Sequence, residues 1–270
     1  MEEFNTARLS FLGTGTSQGV PVIGCDCKVC KSENSKDKRL RSSVLIEYLG
    51  FKILIDAGPD FRQQLLRVQI KNLDAILLTH EHKDHTGGLD DVRACNYING
   101  RALPIYCEER VLRSLEKEYS YVFEENRYPG VPEFDIRVID ENIFEIKREN
   151  GRSGEPGVKV IPIRVSHYKL PILGFRVGDI SYITDANKIE DKRFKLLEGS
   201  KILVLNTVRH AKHISHFSLA EAIEVAKRVG AERTFLTHLS HQIGTHEELS
   251  AELPPGIFAS YDGLTVEVSL

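Results

Sequence analysis

His80, His82, Asp84 and His85 fall within six residues, in the run Leu77-Leu78-Thr79-His80-Glu81-His82-Lys83-Asp84-His85-Thr86-Gly87-Gly88. Imidazole and carboxylate together form the ligand set of divalent transition metals. The spacing is H-x-H-x-D-H, directly after an apolar segment that reads as a buried strand. A single histidine at a strand end is by default a polar loop residue. Four metal-type side chains at this spacing are more than packing asks for. One catalytic metal needs three or four ligands and keeps a position open for water. This run offers that many alone, and other parts of the chain offer more. The surplus points to two metals side by side, the arrangement that splits phosphate esters and related bonds.

Three further candidates share a placement. His167 follows the apolar stretch Val160–Val165, Asp185 follows Ile180–Thr184, and His238 follows Thr234–Thr237. Each is the first metal-type side chain beyond an apolar strand, as His80 is. Strand ends along one edge of a rigid sheet can bring such groups to one point.

A separate cluster lies near the N-terminus, in Gly24-Cys25-Asp26-Cys27-Lys28-Val29-Cys30. The chain has five cysteines, an odd number, and Met1–Arg8 holds no apolar run of signal-peptide length. Metal binding is therefore expected over a disulfide framework. A tetrahedral zinc on Cys25, Cys27 and Cys30 lacks one ligand, and His241 in His238-Leu239-Ser240-His241 is available. Cys95 and Cys107 stand alone and are expected as small, partly buried residues.

The elements that must position these groups are legible in outline. Arg8–Thr16 is a strand running into a tight glycine turn, and its glycine spacing fails the dinucleotide fingerprint. Ser43–Tyr48 and Phe51–Asp56, split by Leu49-Gly50, give a hairpin. A short helix is expected at Asp60–Val68, a strand at Leu73–Leu78 and helical spacing at Glu108–Tyr121. Strands are expected at Ile136–Ile139, Val158–Val165, Gly174–Val177, Ser181–Thr184, Ile202–Asn206, Arg233–Leu236 and Leu264–Val268. Ser218–Val229 is a helix capped by Ser218. Lys31–Arg41 is expected as a solvated charged loop and Gly151–Gly157 as a turn-rich connector. At 270 residues and 41% hydrophobic content, the chain supports one large domain, residues 1–270. A net charge of −3 argues against a broad surface for large nucleic acids. No stretch reaches the length of a membrane span, so a cytoplasmic protein is expected.

The ordered set His80, His82, Asp84, His85, His167, Asp185 and His238 resembles the metallo-β-lactamase superfamily, from Phe11 to Val268. The resemblance implies an α/β, four-layer αββα sandwich. It implies one metal on His80, His82, His167 and Asp185, and a second on Asp84, His85, Asp185 and His238. The carboxylate of Asp185 would bridge, and either zinc or manganese suits the set. Lactamases proper have a cysteine at that position. The thiol cluster with the downstream H-x-x-H resembles the phosphoribosyl 1,2-cyclic phosphate phosphodiesterases, in which three cysteines and the last histidine hold a structural zinc. Those enzymes and the tRNA 3′-processing endonucleases carry a non-ligand histidine at the leaving group, a role that falls here on His216, with His210 and His213 competing. His246 matches nothing in the family and is expected at the surface.

The resemblance implies a metal-dependent hydrolase acting on a small phosphodiester, in particular a cyclic one. Water activated between the metals would attack phosphorus, Asp84 and Asp185 would hold the metals, and His216 would assist the departing oxygen. It also implies a homodimer. A tRNA 3′-processing nuclease is an alternative, but no long basic arm is present. A thioesterase or lactonase of the glyoxalase II type is another, opposed by the thiol cluster. Residues 118–132, rich in aromatics, are either a substrate lid or a surface excursion.

Overall fold

The computed structural model describes residues 6–148 and 156–269; part of the expected 151–157 connector lies outside them. Successive residues of the central strands are apolar on both sides. Val44, Ile46, Ile53, Ile55, Ala75 and Leu77 bury into one cluster, whereas Leu45, Leu54 and Ile76 bury into another. A sheet that is apolar on both faces must be covered on both faces.

β1 (Thr6–Gly13), β2 (Ser43–Tyr48), β3 (Phe51–Ile55), β4 (Ala75–Leu77), β5 (Leu103–Cys107) and β6 (Phe134–Val138) lie side by side in chain order. β7 (Phe144–Ile146), β8 (Val158–His167), β9 (Leu170–Val177), β10 (Ile180–Ile183), β11 (Ile202–Asn206), β12 (Arg233–Thr237) and β13 (Ile257–Ala259) form the second sheet. β14 (Thr265–Ser269) returns to pair antiparallel with β1. Phe11, Ile46 and Ile53 meet Val160, Phe175, Tyr182 and Val204 between the sheets.

The N-terminal half carries α1 (Lys28–Lys31), α2 (Phe61–Val68), α3 (Lys83–Thr86), α4 (Val92–Asn99), α5 (Glu109–Glu118) and α6 (Ser120–Phe123). Phe61, Val92, Val111 and Leu115 from these helices cover the outer face of the first sheet. α7 (Asp191–Leu197), α8 (Leu219–Val229) and α9 (His246–Glu252) cover the second sheet through Leu197, Ala222, Ala226 and Leu249. The order of layers is αββα. No helix among the described residues is long and apolar enough to cross a membrane.

Local signals account for several joints. In the β2–β3 hairpin, Tyr48 faces Phe51, and Leu49 and Gly50 have φ of 49° and 76°. Two successive positive φ values make the turn whose twist matches the strands. Ser218 and Glu221 form a reciprocal capping box at the start of α8, which ends on Gly230 at φ 67°. β5, β7, β13, α4, α7 and α9 were not expected from the sequence. β7 and β13 have only three residues each, Pro104 in β5 reads against a strand, and α4, α7 and α9 run only seven or eight residues and leave little periodicity.

Two expectations change, and a third segment gains an anchor. The charged segment 31–41 is not simply solvated: Asp37 and Arg39 are buried. Arg39 Nη1 donates to Thr14 Oγ1 and Ser260 O at 2.9 and 2.7 Å. The first residues of the 118–132 segment are fastened beside the histidine motif. Lys83 pairs with Glu118 at 2.7 Å, Tyr119 donates its hydroxyl to Thr86 O at 2.8 Å, and Tyr121 bonds to Asp90. His246 is buried, not exposed. Its backbone N–H donates to Asp37 Oδ1 at 2.6 Å, and its ring stands edge-on to Tyr261.

Burial, then the charges of Arg39 and Lys36, push the His246 imidazole from 6.5 down to about 4. In that interval the unfolded chain binds a proton that the folded one refuses, so stability falls as pH drops from 6.5 towards 4. His246→Gln should flatten this part of the stability profile in urea titrations at successive pH values. An unchanged slope would mean that the ring is already hydrated in the fold.

Candidate metal centre

The two sheets present the ends of several strands at one edge. β3, β4 and β5 run parallel, as do β10, β11, β12 and β13. β8 and β10 are each antiparallel to β9, so their C-terminal ends also coincide. Side chains just past those ends meet in the crevice where α/β folds place ligands. Asp56, Tyr168, Asp185 and His238 turn off their strands with φ of 64°, 57°, 57° and 58°. A non-glycine residue in this region carries on the order of 1–3 kcal/mol of strain and is held there by its surroundings.

The seven candidate ligands converge. His80 Nε2 lies 3.0 Å from His82 Nδ1 and 3.9 Å from Asp185 Oδ2. His85 Nε2 lies 3.2 Å from Asp84 Oδ2 and 3.4 Å from Asp185 Oδ1. His238 Nδ1 is 3.1 Å from the same Asp185 Oδ1. Donor atoms of His80, His82 and His167 lie within 4.8 Å of one another, and so do those of Asp84, Asp185 and His238. Asp185 stands between the two groups.

Outer partners brace the rings. Thr79 Oγ1 meets His80 Nδ1 at 2.9 Å and itself donates to both oxygens of Asp56 at 3.0 Å. Asp56 Oδ2 accepts from His85 Nδ1 at 2.7 Å. His167 Nδ1 donates to Asp185 O and Ser215 O at 2.7 and 3.0 Å. An N–H held on Nδ1 leaves Nε2 with its lone pair facing the centre. His238 differs, since its Nδ1 faces Ser42 Oγ at 3.2 Å as well as Asp185. Asn206 grips the loop behind Asp185, accepting from Ala186 N at 2.8 Å and donating to Ala186 O at 2.9 Å.

The electrostatics ask for cations. Burial and the neighbouring His85 hold His80 neutral, far below the usual imidazole range. Burial opposes ionisation of Asp185, but His238 and His85 outweigh it and keep the carboxylate charged. Burial likewise opposes charge on His85, yet Asp185, Asp56 and Asp84 surround it and raise its affinity for a proton. Its Nε2 is nevertheless buried without a hydrogen-bond partner. A buried carboxylate group with an orphaned ring nitrogen aimed into it fits divalent cations by charge and donor type.

His216 stacks beside this centre, its ring centroid 4.8 Å from those of His167 and His238. Its Nδ1 is buried without a partner, and burial followed by His238 holds the ring down to about 3. His213 lies one ring further out, 5.0 Å from His216. His210 is exposed and bonded to Glu252 at 2.8 Å. Of the three competitors, His216 is the one in contact with the centre.

The cysteines gather elsewhere. Sγ of Cys25, Cys27 and Cys30 lie 3.2, 3.4 and 3.6 Å from His241 Nδ1. The Cys30 backbone N–H lowers the Cys27 thiol to about 6, while burial raises Cys30 to about 11. Three sulfurs and one imidazole nitrogen are a tetrahedral zinc set. Cys95 on α4 and Cys107 at the end of β5 are buried between the first sheet and its helices.

Sequence reasoning missed Asp56, although it too is the first carboxylate after an apolar strand. Asp56→Asn would set an amide donor against His85 Nδ1, moving the ring proton to Nε2, where a cation belongs. Metal affinity should fall about 10–100-fold, read by competition with a chelator, while the circular dichroism spectrum persists. Unaltered affinity would remove Asp56 from the centre.

A model of the beta-lactamase superfamily domain matches residues 52–239. The chain is 42% identical over 260 residues to an octanoyltransferase of Porphyromonas gingivalis, covering 95% of this chain and 51% of that protein. It thus spans about half the length of that relative. A ribonuclease Z of Methanopyrus kandleri is 28% identical over 300 residues, 96% of this chain and 97% of its own. The crystal structure of a diphosphatase from the PhnP family superposes with a TM-score of 0.89 at 40% identity, covering 98% of both chains. With its two-sheet sandwich and its histidine–aspartate centre, the chain belongs to the beta-lactamase superfamily.

Proposed function

We propose that this chain hydrolyses a small phosphodiester, a cyclic phosphate in particular. One divalent cation would be held by His80, His82, His167 and Asp185, and another by Asp84, His85, Asp185 and His238. The observation that carries the reading is the convergence of these donors on Asp185 with their outer nitrogens braced. Bound there, zinc or manganese supplies a water nucleophile at neutral pH and neutralises charge on phosphoryl oxygens.

The chain's own residues do the rest. Asp56 and Thr79 hold His80 and His85 in one tautomer. His216, with a buried and unpartnered Nδ1 beside the centre, is held neutral by burial and would give the departing oxygen a hydrogen bond. The relation to a diphosphatase and to a ribonuclease Z supports attack at phosphorus. The net charge of −3 favours a small ester over a long polyanion. Cys25, Cys27, Cys30 and His241 would hold a structural zinc, and a reducing cytoplasm would keep those thiols available. The whole chain would then act as one domain.

The test is a metal count followed by a substrate panel: ribose and nucleoside cyclic phosphates, a diphosphate diester, an aryl phosphodiester, an acyl thioester and precursor tRNA. Turnover of a cyclic phosphate, abolished by chelation and restored by zinc or manganese, is expected. Turnover of the thioester or the tRNA alone would overturn the reading. Asp185→Asn should lose at least about 100-fold in activity, more than an outer-shell change, and keep the thiol-bound zinc. Loss of that zinc as well would mean that the two sites are not independent. His216→Ala should slow esters with poor leaving groups by roughly 10²–10⁴-fold and spare activated aryl esters. Equal slowing of both would take His216 away from the leaving group.

A further inference from the structure

We infer that Asn187 is a positioning residue that sets His216 against the metal centre; the inference rests on the phosphodiesterase reading of that site. Asn187 lies two residues beyond Asp185, beside an isolated antiparallel bridge between Ser166 and Lys188, and joins three segments. Its backbone N–H donates to Ser166 O at 2.8 Å, and Ser166 N donates to Lys188 O at 3.0 Å. The loop behind Asp185 is thereby tied to the end of β8, next to His167. Its side-chain Oδ1 accepts from Tyr168 N at 2.9 Å, and its Nδ2 donates to Ile214 O at 2.8 Å.

Ile214 is two residues before His216. The stretch around it forms no helix or strand, and Ile214 itself points into solvent. Side chains bind its carbonyls at four points: Arg209 at Lys212 O, Asn187 at Ile214 O, His167 at Ser215 O and Thr207 at Phe217 O, and of these Asn187 and His167 flank His216 on its N-terminal side. His167 holds Ser215 O through Nδ1 while its Nε2 faces the centre, so changing it would also remove a candidate ligand, whereas Asn187 can be changed alone. Asn187 touches neither metal donor atoms nor the reacting oxygen, and its work is done through His216.

The residue type follows from the partners. One backbone N–H and one carbonyl must be met by one short side chain, and a carboxamide supplies one acceptor and a donor. Aspartate keeps the bond to Tyr168 N but sets a charged oxygen against Ile214 O. Alanine meets neither. Tyr168 is also held at φ 57°, and the bond from its N–H to Asn187 is one of the contacts that hold it there. A shift of about 1 Å in a catalytic group lowers turnover by as much as roughly 10²-fold.

The experiment compares wild type, Asn187→Ala, Asn187→Asp, His216→Ala and the Asn187→Ala/His216→Ala double variant, all zinc-loaded. Each is assayed on one diester with an activated aryl leaving group and one with an alkoxide. Both Asn187 variants should lose roughly 10- to 100-fold in kcat on the alkoxide ester. KM, aryl turnover, metal content and thermal midpoint should stay near wild type. The double variant should be no slower than His216→Ala. In parallel, imidazole ¹⁵N resonances of the zinc-loaded protein should show the His216 signals shifted or broadened in Asn187→Ala, with those of His80 and His85 in place.

Additive losses, equal slowing of both esters, or an unmoved His216 resonance would overturn the role of Asn187 while leaving the phosphodiesterase reading intact. If His216→Ala itself leaves the ratio of alkoxide to aryl turnover unchanged, His216 is not at the leaving group and the inference falls with it. If no diester is turned over, the function is wrong, and the resonance shift then reports alone on whether Asn187 places that ring.

Discussion

The carboxylate of Asp185 is the constraint on which the rest of the molecule depends. It is buried, it stays ionised because His85 and His238 face it, and its two oxygens look towards different groups of donors. An ionised group in an apolar interior is expensive unless opposite charge meets it at close range. Here protonated imidazole meets part of that need and divalent cations would meet the whole of it. Asp84 and Asp56 add negative charge within the same shell. A fold selected for stability alone would gain by replacing this cluster with well-packed apolar side chains. Its retention in the interior is a statement about chemistry, and the strained turns at Asp56, Asp185 and His238 belong to the same account.

The sandwich exists to make those turns possible. Both sheets are covered on both faces, so their strand ends are rigid to within the tolerance that ligand geometry requires. A side chain one residue past a fixed strand end has few ways to point. The left-handed backbone at three of these ends, and at Tyr168 beside His167, selects among them. Hydrogen bonds from Thr79, Asp56 and Asn206 then remove what freedom remains. The layers are thus generic, while the placement is specific to a handful of buried polar contacts.

That division explains what could be read from the sequence. Apolar runs ending in His80, His167, Asp185 and His238 are local patterns, and so is the H-x-H-x-D-H spacing, so both the sandwich and its ligand-bearing edge were visible. Some elements were not: β7 and β13 have three residues each, Pro104 disguises β5, and α4, α7 and α9 make only about two turns. Contacts between distant segments were invisible for a different reason. Asp37 and Arg39 sit in a run of charges that reads as solvated, and only the fold brings Thr14, Ser260 and the backbone of His246 to them. Asp56 obeyed the same placement as the other candidates but lay outside a motif, and its role appears only when His85 and Thr79 are seen to share it.

The thiol cluster fits into this picture as an addition to a joint already made. Leu239 N donates to Thr14 O at 2.8 Å, and Ser42 Oγ bridges Gly15 O and His238 Nδ1. Asp262 binds Thr14 and the Leu40 N–H, and so ties the N-terminal loop to the C-terminal strand region. These bonds place His238 without any help from sulfur. The segment that carries the cysteines is held at Val20–Arg39 but lies apart from the main cores: Ile23 is fully exposed, and Val20, Val29 and Cys30 form a small separate cluster. A zinc on Cys25, Cys27, Cys30 and His241 would therefore order the loop around itself first. Through His241 it would reach His238 only as a second restraint on a turn that Ser42 and Leu239 already fix.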